Sequence, residues 1–184
     1  PGQPDTLPLQ HPALVFTGKM DYRPNVDAVT WFHQAIWPLV RQSHPMARLY
    51  IVGQGDHREL APLHADPSVI VTGFVPDILP YFAGADVYIA PLRMGSGTRL
   101  KLLEAMASGL PIVSTTIGAE GLSVVSGQQC LLADTPLGFA LACSQLLEDC
   151  RRGEQLGRAA RQFVVERYDW RRLVPLLNSL YAAL

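Results

Sequence analysis

An excess of charge of either sign, long apolar runs and cysteine are all scarce in this sequence, and each shortage removes a class of function. The 184 residues carry 15 Lys and Arg against 16 Asp and Glu, a formal net charge of −1. The two signs are spread along the chain, so no basic stripe exists to grip a nucleic-acid backbone or an anionic membrane surface. Any cation that matters must act locally. No apolar run approaches the ~18 residues of a membrane-spanning helix, and no cationic start precedes a short apolar segment, so the reading contains neither a span nor a signal peptide. The cysteines Cys130, Cys143 and Cys150 are odd in number and form no C-x-x-C pair. They are read as inert thiols in a reducing compartment, with the cytoplasm as the expected location.

Familiar chemical signatures are missing too. There is no P-loop, no D-x-D pair, no H-E-x-x-H and no Cys/His cluster, hence no candidate metal site. His11, His33, His44, His57 and His64 are scattered, and none neighbours a plausible nucleophile, so each is read as a surface or internally satisfied residue. Gly95-Ser96-Gly97-Thr98-Arg99-Leu100 lacks the third glycine of the dinucleotide fingerprint and follows a late strand, which argues against a nicotinamide or flavin cofactor.

What is present is the composition of a folded domain, 48% hydrophobic and 17% charged, with short apolar runs alternating with helical patterns. Strands are expected over 13–17, 48–52, 69–71, 87–90, 111–114 and 130–132. Helices are expected over 26–42, 78–83, 99–108, 136–150, 153–167 and 170–184. That order specifies an α/β fold: a single-domain, Rossmann-like open parallel sheet with helices on both faces. In such sheets ligands bind outside the carboxyl ends of the strands, in the loops that lead into helices. In the last helix Asp169 is a candidate N-cap. Trp170, Leu173, Leu177, Leu180 and Tyr181 make an apolar face, and Pro175 is expected to bend or interrupt it.

Among the strand-end loops, Met94-Gly95-Ser96-Gly97-Thr98 stands apart because of the charges that follow it. Arg99 and Lys101 are placed in the first turn of a helix, where the macrodipole disfavours cations. A bound anion would remove the conflict. Unpaired amides of Gly97, Thr98, Arg99 and Leu100 would point at phosphate oxygens, and the two side chains would add charge-assisted bonds. The alternative is that both cations reach solvent. Leu100, Leu103, Ala107 and Leu110 are taken as the buried stripe of this helix, which puts Glu104 about 40° beyond its edge and half-buried. There it either pairs with Lys101 or accepts hydrogen bonds from a diol such as a ribose.

With these pieces in order the sequence resembles the donor-binding, carboxy-terminal half of glycosyltransferases with the GT-B fold, in particular the large retaining group called glycosyl transferases group one. The resemblance rests on Phe16-Thr17-Gly18-Lys19-Met20, Leu49-Tyr50-Ile51-Val52-Gly53-Gln54-Gly55, Val71-Thr72-Gly73-Phe74-Val75, Ala85-Asp86-Val87-Tyr88-Ile89-Ala90-Pro91, the run from Gly95 through Glu104 to Ala107, and Gly109-Leu110-Pro111-Ile112-Val113. It implies a nucleoside diphosphate sugar as substrate, with no separate cofactor, bound by residues 13–184 after a linker over 1–12. An acceptor glycan or lipid-linked glycan would be held by an amino-terminal half that this chain does not include.

Residue by residue, the resemblance assigns the ribose to Glu104 and the base to the loop carrying Phe74 and Val75. The family's sugar-binding glutamate falls on Ser96. Its diphosphate-binding Arg and Lys fall on Lys19, beside Gly18, and on Asn25, so one cation is kept and one lost. Arg99 and Lys101 are candidates for the missing charge, an inference from this sequence and not from the family pattern. With the amides at Gly97, Thr98 and Leu100, the cations Lys19, Arg99 and Lys101 would stabilise the departing diphosphate without a metal. Two other functions fit the same pieces: a nucleotide-sugar epimerase of the GT-B type, and a non-catalytic nucleotide-binding or scaffold module, which Ser96 and Asn25 at family-charged positions would suit.

Overall fold

The structure, a computed structural model, describes residues 9–182. Six strands form one sheet: β1 (Ala13–Thr17), β2 (Arg48–Val52), β3 (Val69–Gly73), β4 (Val87–Ala90), β5 (Ile112–Ser114) and β6 (Leu131–Leu132). All five neighbouring pairs are parallel, in the order β3-β2-β1-β4-β5-β6. Continuous apolar strands are what a parallel sheet covered on both faces requires, and all five residues of β1 are buried.

Alternate residues of each strand feed two separate cores. Leu14, Phe16, Leu49, Ile51, Val87, Ile89 and Val113 face one layer of helices. It consists of α1 (Arg23–Trp31), α2 (Trp37–Ser43), α3 (Ala61–Ala65) and α6 (Pro136–Glu148), with Phe32, Trp37, Leu63 and Phe139 filling the space. Ala13, Val15, Tyr50, Val52, Tyr88, Ala90 and Ile112 face the other layer. There α4 (Leu79–Gly84), α5 (Leu100–Ala107) and α7 (Cys150–Tyr168) contribute Phe82, Leu102, Ala105, Met106, Ala160 and Phe163. The helix α8 (Trp170–Ala182) follows. No described helix is long and apolar enough to cross a membrane.

Several elements differ from expectation for identifiable reasons. The single helix expected over 26–42 spans α1 and α2 with a π-turn, Phe32–Ile36, between them. Pro38 has no N–H to offer the preceding turn, and the Trp37 amide instead reaches back five residues to the Phe32 carbonyl. A 3-10 turn, Arg58–Leu60, and α3 occupy a stretch for which the sequence pattern specified no element. α5 begins at Leu100, one residue later than expected, and buries Leu102, Ala105 and Met106. Leu100, expected inside, is 63% exposed, and Ala107 and Glu104 are exposed with it. Leu100, Leu102 and Leu103 allow two apolar registers. The register that forms presents small Ala105 and pliable Met106 to the sheet and α7. α8 runs through Pro175 without a break; residues 170–172 and 174 are exposed, so water can replace the bond the ring removes. Asp169 caps it as expected, accepting from the Arg171 amide at 2.8 Å. Trp170 and Tyr181 lie open to solvent.

Of the expected linker, residues 1–8 lie outside the described residues, while residues 9–12 are tied to the sheet. Gln10 donates its backbone N–H to the Tyr50 hydroxyl (2.8 Å) and His11 bonds Asp86 (2.8 Å). The other histidines serve the fold as well: His33 bonds Asp66, His44 and His64 lie near Glu148 and Asp56, and His57 accepts the Glu59 amide. No cysteine is disulfide-bonded; Cys130 and Cys143 are buried and Cys150 is exposed. Burial pushes the Cys130 thiol up to about 11 and raises Cys143 further.

One contact sets how closely α7 approaches the turn that leads from α5 into β5. A Cβ on Gly157 would stand 2.0 Å from the Gly109 carbonyl oxygen. Gly157→Ala therefore lowers unfolding free energy by about 2–3 kcal/mol, read from urea denaturation. An unchanged midpoint would show that α7 can withdraw without penalty.

Candidate functional site

β1 pairs with β2 on one side and with β4 on the other. The strand order reverses direction there, and the loops leaving β1 and β4 part to opposite faces of the sheet. The crevice between them is a cleft of about 160 Å³, lined from the β1 side by Tyr22, Pro24 and Asn25 and from the β4 side by residues 92–101 other than Arg93 and Gly97. It is smaller than the 300–1,000 Å³ typical of a site that encloses a small molecule, so it can hold a phosphate group or two but not a whole nucleotide sugar. Ser96, Thr98, Leu100, Arg99, Lys101 and Asn25 all line it; Lys19, Phe74, Val75 and Glu104 do not.

The Gly95 and Gly97 backbones lie in the left-handed region, with φ of 114° and 93°, a conformation that costs an L side chain energy but glycine little. The amides of Gly97, Thr98 and Arg99 donate to no protein acceptor among the described residues. The Leu100 amide, expected to be free, is occupied by the Thr98 carbonyl at 2.9 Å. The strand-side end of this loop is anchored by Arg93, which donates twice to Asp27 (2.6 and 3.1 Å) and lies 5.1 Å from the Trp31 ring centroid.

The two cations expected at the helix start have different fates. Arg99 is the N-cap residue, ahead of the first turn, and is 7% exposed. Its Nη2 donates to the Gly95 carbonyl (3.0 Å) and to Glu120 (3.1 Å). Lys101 is in the first turn, and its Nζ donates to Asn25 Oδ1 at 2.5 Å while lying 4.5 Å from the Phe16 ring centroid. Asn25, 4% exposed, uses its Nδ2 on the Lys19 carbonyl at 2.9 Å. Neither cation points freely to solvent. Desolvation, helped by the Arg99 charge, lowers Lys101 to about 8, with Glu104 acting the other way.

Gly18 makes this arrangement possible, because a Cβ there would sit 2.6 Å from Asn25 Nδ2 and 2.9 Å from Lys101 Nζ. Lys19 is exposed, with Nζ 3.7 Å from Asp21. Glu104 forms no ion pair with Lys101. Partial desolvation raises its carboxyl above the usual range, with Lys101 pulling it down. Phe74 is 73% exposed at the end of β3, whereas Val75 packs onto the core behind it. Two strand spacings, about 10 Å, separate β3 from β1. Among the described residues no three His, Cys, Asp or Glu side chains converge as metal ligands.

Sequence reasoning missed the coupling of Asn25 to Lys101, 76 positions apart, the apolar walls Tyr22, Pro24 and Leu92, and Glu120. A strand order, had it been known, would have placed the loops after β1 and β4 side by side. Glu120 left no signal of its own.

Known proteins give the arrangement a context. The sequence model of the family described as glycosyl transferases group 1 matches residues 11–149. Glycogen synthase of Mycobacterium tuberculosis is 29% identical over 192 residues, covering 98% of this chain and 44% of that protein. Phosphatidyl-myo-inositol mannosyltransferase of Mycolicibacterium smegmatis is 31% identical over 173 residues, covering 90% and 44%. The chain thus spans about half the length of the curated relatives it matches. Anabaena HepE, solved in complex with UDP, superposes with a TM-score of 0.78 at 17% identity, covering 95% of this chain and 50% of that one. The carboxy-terminal domain of the group 1 protein LpcC from Francisella tularensis gives 0.70 at 18%, covering 86% of both. At these identities the superpositions speak for the fold alone.

The Lys101 site carries a pH signature. Its charge is present below about pH 8 and lost above it, so affinity for an anion such as inorganic pyrophosphate falls as pH rises from about 7 to about 9. Lys101→Met binds more weakly and without that pH step. A wild-type affinity flat across this range would place the anion away from Lys101.

Proposed function

The chain belongs to the glycosyl transferases group 1 family, and from that premise we propose that it is the donor-binding half of an enzyme that moves a sugar from a nucleoside diphosphate to an acceptor. The observation that carries the proposal is the convergence, in the crevice between β1 and β4, of Lys101 with Thr98 and Arg99, whose backbone amides are free among the described residues, the free Gly97 amide lying in the same turn. Donors fixed before the ligand arrives are what a diphosphate leaving group needs, because negative charge grows on its bridging oxygen as the anomeric bond breaks. In this reading protein cations and amides meet that charge in place of a divalent metal, and the sugar is transferred with retention.

The rest of the donor follows from the placement of the loops. From a diphosphate between Thr98 and Lys101, a nucleoside extends across the ends of β1 and β2 toward Phe74, whose exposed ring at the end of β3 offers a stacking face for the base. Glu104 lies one helical turn beyond Lys101 and accepts from the ribose hydroxyls. The sugar lies by Ser96, which is exposed in the cleft wall. Lys19, exposed and loosely paired with Asp21 at 3.7 Å, swings onto the outer phosphate oxygens. The acceptor, a glycan or lipid-linked glycan, is held by the other half of the full-length protein.

Product analysis with the full-length protein and a panel of nucleotide sugars tests the reaction. An elongated acceptor supports transfer, whereas free epimerised sugar without elongation identifies an epimerase. Calorimetry on this chain tests binding: a nucleoside diphosphate binds better than its nucleoside, and no binding of UDP or GDP at millimolar concentration points to a scaffold. Glu104→Gln weakens nucleoside and nucleoside diphosphate by the same factor, about tenfold. A loss confined to the diphosphate would remove Glu104 from the ribose.

A further inference from the structure

The turn at residues 95–98 has little packing to hold it. On one side is the cleft of about 160 Å³; on the other is an open hollow of about 450 Å³ lined by Gly97, Thr98, Arg99, Glu120, Gly121, Leu122 and Tyr168. A Cβ on Gly97 would meet nothing within 4 Å. A turn of two glycines flanked by space on both sides samples many conformations. Its free amides point one way only if something else fixes the backbone.

The Arg99 guanidinium lies where such a fastening is needed. It reaches back across the turn to the Gly95 carbonyl with the same Nη2 that meets Glu120, at 3.0 and 3.1 Å. The Arg99 side chain is 7% exposed and Glu120 68%, so a buried cation is held from the surface by an accessible carboxylate. That carboxylate stands on a rigid base. The loop after β5 is bonded to the loop after β4 through the Thr115 amide to the Ala90 carbonyl (3.2 Å) and Thr115 Oγ1 to the Leu92 carbonyl. Thr115 Oγ1 also accepts the Gly118 amide at 2.9 Å, and a Cβ on Gly118 would stand 2.5 Å from the Ala90 carbonyl. Thr116 is held twice by Asp134 (2.8 and 2.7 Å).

We infer that Glu120 is a positioning residue for the donor site: by holding Arg99 on the Gly95 carbonyl it sets the direction of the Gly97, Thr98 and Arg99 amides. Arg99 then acts through the turn and does not itself contact the phosphate. The inference rests on the reading of this turn as a diphosphate site, and it extends that site to a residue on a different loop. It also reverses the sign expected of a simple counter-ion. Removing a carboxylate near an anion site strengthens anion binding if the carboxylate merely competes for Arg99, and weakens it if the carboxylate holds the turn.

The test is calorimetry with UDP and GDP, each against its nucleoside, on this chain and its variants. Glu120→Ala lowers affinity for the diphosphate about tenfold with nucleoside affinity unchanged. Glu120→Gln, which keeps an acceptor oxygen, restores most of the loss. Arg99→Ala with Glu120→Ala binds no worse than Arg99→Ala alone, because the pair acts as a unit. In ligand-free protein, ¹⁵N relaxation shows the Gly95 and Gly97 amides more mobile in Glu120→Ala than in wild type. Tighter or unchanged diphosphate binding in Glu120→Ala would overturn the inference and return Arg99 to direct phosphate contact; so would unchanged relaxation. If the wild type binds neither nucleotide, the donor reading fails, and the ligand-free relaxation still decides whether Glu120 holds the turn.

Discussion

The position of β1 between β2 and β4 governs the rest of this molecule. With parallel strands on both sides, β1 is completely buried, and the connections must depart to opposite faces of the sheet. The crevice this leaves cannot be closed by packing, since the backbone on either side is already committed to the sheet. Gly18 at the end of β1 and the 95–98 turn beyond β4 are brought together by that topology, although about 80 residues separate them. The buried hydrogen bond between Thr17 and Tyr88, 3.0 Å long, joins the two strands just beneath the crevice floor.

Within the crevice the electrostatics turn on a trade between two positions. The resemblance drawn from the sequence implies a lysine at the position of Asn25, yet the crevice does not lack an ammonium. Lys101 enters from the other side, and Asn25 Oδ1 receives it. Gly18 leaves the space for both. The desolvation that lowers Lys101 toward neutral pH also makes the site hungry for an anion, because a bound phosphate would restore the solvation the ammonium lost. Arg99 is held by the protein's own carboxylate and carbonyl. Of two cations that look equivalent in sequence, Lys101 meets the Asn25 side chain across the crevice and Arg99 is tied to Gly95 and Glu120.

The sheet was legible because its strands are short apolar runs bounded by turn residues, and all six begin within one residue of where periodicity puts them. Helix registers were less so. In α5 a leucine-rich start permits two buried stripes, and the choice between Leu100 and Leu102 depends on how closely α7 and the sheet can approach. The π-turn before α2 follows from Pro38, a local signal whose outcome, a widened turn and not a break, depends on Phe32 and Trp37 both being needed in the core. For the site, glycines and misplaced charges pointed to the 95–101 segment, most of which lines the crevice between β1 and β4. What periodicity could not supply was partnership: Asn25 with Lys101, Arg99 with Glu120 and Arg93 with Asp27 all join residues far apart in sequence, and Glu120 sits in a loop with no pattern at all.

The central claim is that the diphosphate of a nucleotide ligand lies in the crevice between β1 and β4. A ¹H–¹⁵N titration of the chain with UDP and GDP addresses it directly, since it reports where binding occurs and not only whether it does. The account predicts the largest shifts at Gly18, the Asn25 side-chain amide and residues 97–101, with smaller ones reaching Phe74. Saturable shifts centred elsewhere, leaving Gly97, Thr98 and Asn25 unmoved, would contradict it.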